Sequence, residues 1–346
     1  MRSAIASVAL TVALLGAVLS VGSGQPRDGG GALRIERPPV RLPFPEPGPN
    51  RIVFHRVADE GARSQVFRSL VGSTGDLQLT HGDLPAAFPR WSPSGRQIAY
   101  SLGLAEHRIH IMDADGTDDR EVLTGDLHGL EPAWAPHGLL LAFAGLRDNQ
   151  WDIWRMETDG TELTNLTNSE LADYHPDWSP DGVSIVYDHY CGPDTDYEIY
   201  KMDSDGSNQT QLTSNLTYDG MPRWSRDGRR IVFCGKVTPA PLGPGRLSKA
   251  RPGLEIFIMD ADGSNQERLT ERSGDDYSPC WSEDGSEILW LHGDRRGIEE
   301  LWAMKADGSD QRLVREELGT SVDCWGKPHG ALGIQPGTII RPRPGD

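Results

Sequence analysis

The chain has 346 residues, of which 40 are glycine and 25 proline; 37% are hydrophobic and the net charge is −17. So many chain breakers exclude a helical bundle and call for many turns and short elements, in one large all-β domain or two small ones. The acidic balance excludes nucleic acid as a partner, because phosphate binding needs a basic footprint.

Residues 1–24 read as an export signal. Arg2 supplies a positive start, Ala4 to Leu19 is almost wholly apolar apart from Ser7 and Thr11, and small residues follow at Gly22, Ser23 and Gly24. That is the order of a secretory signal peptide and its cleavage site. The apolar run is shorter than the ~20 residues of a membrane span. No cysteine ends it, so neither a lipid anchor nor stable membrane insertion after cleavage is expected; an uncleaved N-terminal anchor is the alternative. The mature protein then starts near Gln25, in the periplasm or outside the cell. Residues 25–49 are rich in Pro, Gly and Arg and read as an extended linker. Residues 327–346 form a tail, with similar character towards its end.

From residue 50 to 326 the chain repeats itself, which is the strongest signal in it. Trp recurs at 91, 134, 178, 224, 281 and 325, in contexts such as PRWSPSG, PDWSPDG and PCWSEDG. A second motif ends in Asp-Gly, as in MDADG at Gly116 and Gly263, and a third reads LT or a variant of it. Between them lie alternating β-branched and aromatic segments such as RQIAYS, VSIVYD, YEIYKMD and LEIFIMD, which read as strands. Four strands in each repeat make a propeller blade: A carries the Trp, B the IVF-like run, C the IYxMD-like run and D the LT.

From each of the first five Trp to the centre of strand B is 7 residues, and from strand C to the motif Gly is again 7. Such constancy marks tight turns, in which Asp bonds the backbone two residues on and Gly takes φ > 0. Only the B-to-C distance varies widely, taking the values 14, 11, 12, 14, 25 and 13. In an antiparallel blade the A–B and C–D turns share one face of the disc, and the B–C and D–A connections share the other. Length variation therefore collects on one face, where binding on a rigid scaffold usually sits. The chain enters at a B strand (51–55) and ends at an A strand (321–325), so its last strand completes the first blade and leaves no free edge.

The signature PxWSPDGxxIxF…IYxMDADG…LT resembles the TolB-type, WD-like propeller family over roughly residues 50–326. The resemblance implies an all-β, six-bladed β-propeller with four antiparallel strands per blade. It also implies a periplasmic or secreted protein that binds partner proteins through the propeller. TolB itself has an additional N-terminal α/β domain where this chain has only a linker, which sets it apart from the envelope role of that protein. Some TolB-like propellers are oligogalacturonate lyases with a metal in the channel, which they hold with a histidine cluster.

The residues just before each Trp enter the innermost strand at the channel mouth, and they differ between blades. Their polar members are Glu131, Asp173, Tyr174, His175, Asp219, Asp275, Asp276 and Tyr277, an acidic and aromatic set suited to a cationic peptide, a sugar or a metal, or to a hydrated channel without ligand. MDADG offers two carboxylates and no distal Glu, so it reads as a turn, not a calcium loop. The six Trp read as packing between blades. His55, His189 and His292 lie in different blades, too far apart for one metal. The basic stretch holding Lys236, Arg246, Lys249 and Arg251 is either a docking loop for an anionic partner or a surface loop. No HExxH, GxSxG or phosphate loop occurs.

Four cysteines in an exported chain raise disulfides. Cys280 and Cys324 both precede a Trp, so they occupy equivalent places in neighbouring blades, separated by more than the ~7 Å limit for a bridge. Cys191 and Cys234, at non-equivalent places beside long loops, are the pair that can meet; four free thiols are the alternative. The sequons at Asn165, Asn208 and Asn215 follow from the LT repeat.

The expectation is a monomeric, exported binding module with no catalytic residue, metal or cofactor, docking a protein or peptide on the loop face and channel mouth. The alternative is a carbohydrate-active enzyme, a lyase or hydrolase, using the same mouth; only His175 and His128 come near it, which favours binding.

Overall fold

In the computed structural model, residues 51–57, 63–73, 75–193, 196–215, 217–237, 253–293, 299–316, 319 and 321–324 are described. The export signal, the linker, the tail, most of the basic stretch and Trp325 lie outside them.

Six four-stranded antiparallel sheets carry the described chain, each in the order A-B-C-D. Blade 1 combines Ser321–Cys324 with Arg51–Val57, Ser64–Leu70 and Leu77–Gln78. Strand A of blades 2 to 6 is Ala86–Trp91, His128–Trp134, Asp173–Trp178, Asp219–Trp224 and Asp275–Trp281. Each A strand packs on the A strand of the next blade, and Ser321–Cys324 packs between blades 6 and 2. This closes the ring, with Cys324 opposite Ile52 and Ser321 opposite His55. Among the described residues there is no helix.

The repeated motifs have local causes. In the A–B turns Asp181, Asp227 and Asp284 accept the N–H of the residue two on, at 2.9–3.1 Å; in the C–D turns Asp115, Asp159, Asp205, Asp262 and Asp307 do the same at 2.9–3.1 Å. The following glycines take positive φ, 74° at Gly182 and 87° at Gly116, for example, which Gly adopts without steric cost. The LT threonine ties strand D to strand C. Thr80, Thr167, Thr213 and Thr270 accept the N–H of Val66, Ile153, Ile199 and Ile256 and donate to the side chain one residue earlier, Gln65, Asp152, Glu198 or Glu255.

The core lies between blades. Trp134 packs with Ile109 and Ile111 of blade 2, and Trp224 with Val186 and Ile199 of blade 4. The five described motif Trp are all buried, each removing roughly 150–250 Å² from water.

The cysteines correct the sequence expectation. Cys280 and Cys324 form the disulfide, with Cα atoms 5.9 Å apart, while Cys191 and Cys234 are free. The two bonded residues are not equivalent after all. Cys280 pairs with Leu289, one place before Trp281, whereas Cys324 pairs with Ile52, the register position that Trp holds in blades 2 to 6. The closing strand has slipped by one residue, and strands nearest the axis are close enough to be bridged.

Candidate binding site at the channel mouth

Every A strand of blades 2 to 6 carries a bulge against strand B just before its Trp. The bulged residue has positive φ in each case: Phe88 52°, Glu131 58°, His175 51°, Met221 55° and Ser278 52°. A proline follows each of them, at 89, 132, 176, 222 and 279. Proline has no N–H to give to a ladder and so fits at such a break; the bulge re-aims the preceding side chain. Five chemically different side chains are thereby turned to the axis, where with Arg90, Arg223, Tyr277 and Val322 they line a cavity of about 60 Å³. The closing strand lacks both bulge and proline.

Glu131 and His175 form the polar centre. His175 Nε2 lies 3.1 Å from Glu131 Oε1, and its Nδ1 lies 2.9 Å from Oδ2 of Asp188, a buried residue of strand B. The His175 N–H donates to Glu131 Oε2 at 2.9 Å. Burial alone would lower the pKa of His175, but Asp188 and Glu131 overcome it and push it up to about 10, so the ring is charged at neutral pH. Burial likewise opposes the ionisation of Glu131, and the charge of His175 outweighs it, holding the carboxyl below its usual range.

Below this centre the channel is shut. The residue before the Trp position is, around the ring, Asp323, Arg90, Ala133, Asp177, Arg223 and Cys280, so Asp and Arg each recur three blades apart. Arg90 bonds Asp177 and reaches Asp323 at 3.4 Å. The same two aspartates accept the backbone N–H of the next blade's Trp224 and Trp91, each at 2.9 Å. Arg223 donates to Pro222 O; burial, then Arg90, lower its pKa to about 10. On the far side of this plug a cavity of about 90 Å³ lies among the Trp rings and A–B turns. A ligand entering from the B–C side therefore meets a blind cup.

A sequence profile of the TolB beta propeller domain matches residues 50–238, more than half of the chain. The chain belongs to this family. No curated protein matches it by sequence. Among solved structures, TolB from Acinetobacter baumannii is similar at 19% identity and a TM-score of 0.67, over 80% of this chain and 67% of that one. A TolB-type protein from Agrobacterium tumefaciens is similar at 21% identity and a TM-score of 0.62, over 82% and 95%. A chain of a nidogen/laminin complex is similar at 11% identity and a TM-score of 0.59, over 80% and 96%. At these identities the likeness is one of fold.

Within this TolB propeller the residues singled out from sequence separate into three groups. Glu131, His175 and Tyr277 line the cup, and Tyr174 lies beside it, 6.3 Å from His175 between ring centroids. Asp275 is exposed and accepts the N–H of Leu254 at 2.9 Å. Asp173, Asp219 and Asp276 are instead buried, at 0%, 4% and 1% exposure. Asp173 and Asp276 hold His189 and His292 at 2.6 and 2.7 Å, and Asp219 holds Asn215 at 2.6 Å. Burial, then Glu198, raises the pKa of Asp219 to about 7. His55, the third strand-B histidine, accepts the N–H of Phe88, and burial lowers its pKa to about 4. Phe88, Met221 and Ser278 belong to the cup without having been singled out; the residue before Pro-x-Trp was the available signal. Asp188, Arg90 and Arg223 had none: Asp188 reaches His175 across the A–B pairing of its own blade, and Arg90 acts through aspartates of other blades.

Proposed function

We propose that this protein is an exported binding module that docks a protein or peptide partner on the face formed by the B–C and D–A connections, over the mouth of the blind cup. The carrying observation is the loss of sixfold repetition there. The opposite face presents near-identical Asp-Gly turns, whereas the bulged positions at the mouth read Phe88, Glu131, His175, Met221 and Ser278. A repeat scaffold that varies its chemistry towards its variable-loop face presents a specific site there. Membership of the TolB propeller family supports the same reading. The contacts are assigned to Glu131, Tyr174, His175, Asp275 and Tyr277, with Asp173, Asp219 and Asp276 supporting the wall from beneath. The place of action is the periplasm or the extracellular space, after cleavage near Gln25.

A carbohydrate-active enzyme is the weaker reading. Among the described residues no group of three or more His, Cys, Asp and Glu side chains is placed to hold a metal, and His175 is already engaged by two carboxylates.

The test is capture of partners from envelope and secreted extract, followed by calorimetry on the captured partner. Glu131→Gln with Tyr174→Leu should weaken binding by about 1–3 kcal/mol, the worth of a charge-assisted hydrogen bond. Asp115→Asn with Asp205→Asn, in the turns of the opposite face, should leave it unchanged. The reverse pattern would place the partner on the wrong face for this proposal.

A further inference from the structure

Beside the cup lies an aromatic cluster that the blade signature does not require. Tyr197, the first residue of strand C in blade 4 (Tyr197–Asp203), meets three rings: Tyr190 at 5.1 Å, Tyr218 at 5.8 Å and Tyr174 at 6.1 Å between centroids. Tyr174 in turn lies 5.3 Å from Trp151 of blade 3. All five residues are half-buried, so part of the cluster stays open to solvent. The other blades place Ser64, His107, Leu254 and Glu299 where Trp151 and Tyr197 stand; the fold does not demand aromatics there.

Two features say what this patch would take. The first is charge. Burial, then the negative charges of Asp188 and Asp196, push the Tyr197 phenol up to about 12, and after burial and Tyr197, Glu131 and Asp188 act on Tyr174 in the same sense. Asp196 also borders, with Tyr218, Asp275 and Lys236, an adjoining cavity of about 330 Å³. The second is the habit of the molecule itself. Its guanidinium groups lie over the rings of Trp91, Trp154, Trp281 and Trp302 at 3.4–5.5 Å, and over Phe54 and Phe67. Among the described residues none lies over the five rings of this cluster. Electron-rich rings in a negative field attract a cation, more so when it is desolvated.

The geometry points to a recognition site for a cationic side chain, an arginine or lysine on an extended segment of the partner, seated on the Tyr174 and Tyr197 rings with Glu131 and Asp196 beside it. This rests on the docking reading of the same face and names the chemistry of its partner.

The probe is a labelled nonapeptide of alternating glycine and arginine, followed by fluorescence anisotropy at physiological salt, with a citrulline version that keeps the shape and loses the charge. The arginine peptide should bind, and the citrulline peptide should bind about tenfold or more weakly. Tyr174→Leu with Tyr197→Leu should cost about tenfold as well, whereas Tyr174→Phe with Tyr197→Phe keeps the rings and should stay within about threefold. Asp115→Asn with Asp205→Asn should change nothing, which separates the site from general attraction to an acidic protein. Equal binding of citrulline, indifference to loss of the rings, or preference for a neutral oligosaccharide that quenches Trp151 would overturn the assignment. So would binding that requires Arg246→Ala, Lys249→Ala and Arg251→Ala, which would make the chain's own basic stretch the occupant. If a captured protein depends on Glu131 and Tyr174 while the arginine peptide does not bind, the cationic assignment alone fails. If the captured protein docks through the Asp-Gly turns, the docking reading fails.

Discussion

Replacing Asp188 by Asn should destabilise the propeller in a way that depends on pH. The Asp188 side chain is 1% exposed and that of His175 17%, with 2.9 Å between Oδ2 and Nδ1. The pKa of His175 rises from 6.5 to about 10, with burial opposing the rise and Asp188 its leading cause. At ~1.4 kcal/mol per unit the whole shift corresponds to about 5 kcal/mol; the ring's partial access to solvent reduces the expectation to about 2–3 kcal/mol. The folded pKa lies above the unfolded one, so this contribution is complete below about pH 6.5 and is lost as pH rises towards 10. For a domain of this size ~1 kcal/mol moves the melting temperature by about 2 °C, so the variant should melt about 4–6 °C lower at pH 7. The gap should narrow as pH approaches 10, because the wild type then loses the charge that Asp188 stabilises. Calorimetric scans at pH 6, 7, 8.5 and 10 read this directly, and the imidazole resonances of His175 should titrate near pH 10 in the wild type and lower in the variant. Equal melting at pH 7, a gap that does not narrow, or a wild-type His175 titrating near 6.5 would refute the reasoning.

Three further outcomes are expected. Peptide mapping without reduction should recover Cys280 joined to Cys324 and Cys191 open to alkylation; for a separation of 44 residues loop-closure entropy assigns the bridge about 4 kcal/mol, so Cys324→Ser should lower the denaturation midpoint clearly. Truncation before Ser321 removes the strand that pairs with Ile52–His55 and exposes two edges, and a melting transition as sharp and as high as the full chain's would contradict ring closure. N-terminal sequencing of the exported protein should begin close to Gln25, an intact Met1 in the soluble fraction being the contrary result.

Much of the architecture was legible because its causes are short-range. An Asp that accepts the N–H two residues on, a Gly at positive φ and an LT threonine that bonds the neighbouring strand act within a few residues, so they recur as readable motifs. From their constant spacing came the strands, the blade count, the closing strand and the face carrying the variable connections. The candidate site was legible only in part. Glu131, His175 and Tyr277 line the cup and Tyr174 lies beside it, whereas the chemically similar Asp173, Asp219 and Asp276 turn into the wall, because strand positions alternate in direction until a bulge resets them.

Sequence by itself thus determined a closed six-bladed ring and the face on which its variation gathers. Tertiary structure decided what the local motifs cannot carry. A one-residue slip in the closing strand puts Cys324 where other blades hold Trp, and so brings it within reach of Cys280. Glu131 meets His175 only because blades 3 and 4 pack side by side. Arg90 shuts the channel through Asp177 and Asp323, which lie 87 and 233 residues away along the chain. Such contacts arise from ring closure and from crowding at the axis, where six strands meet.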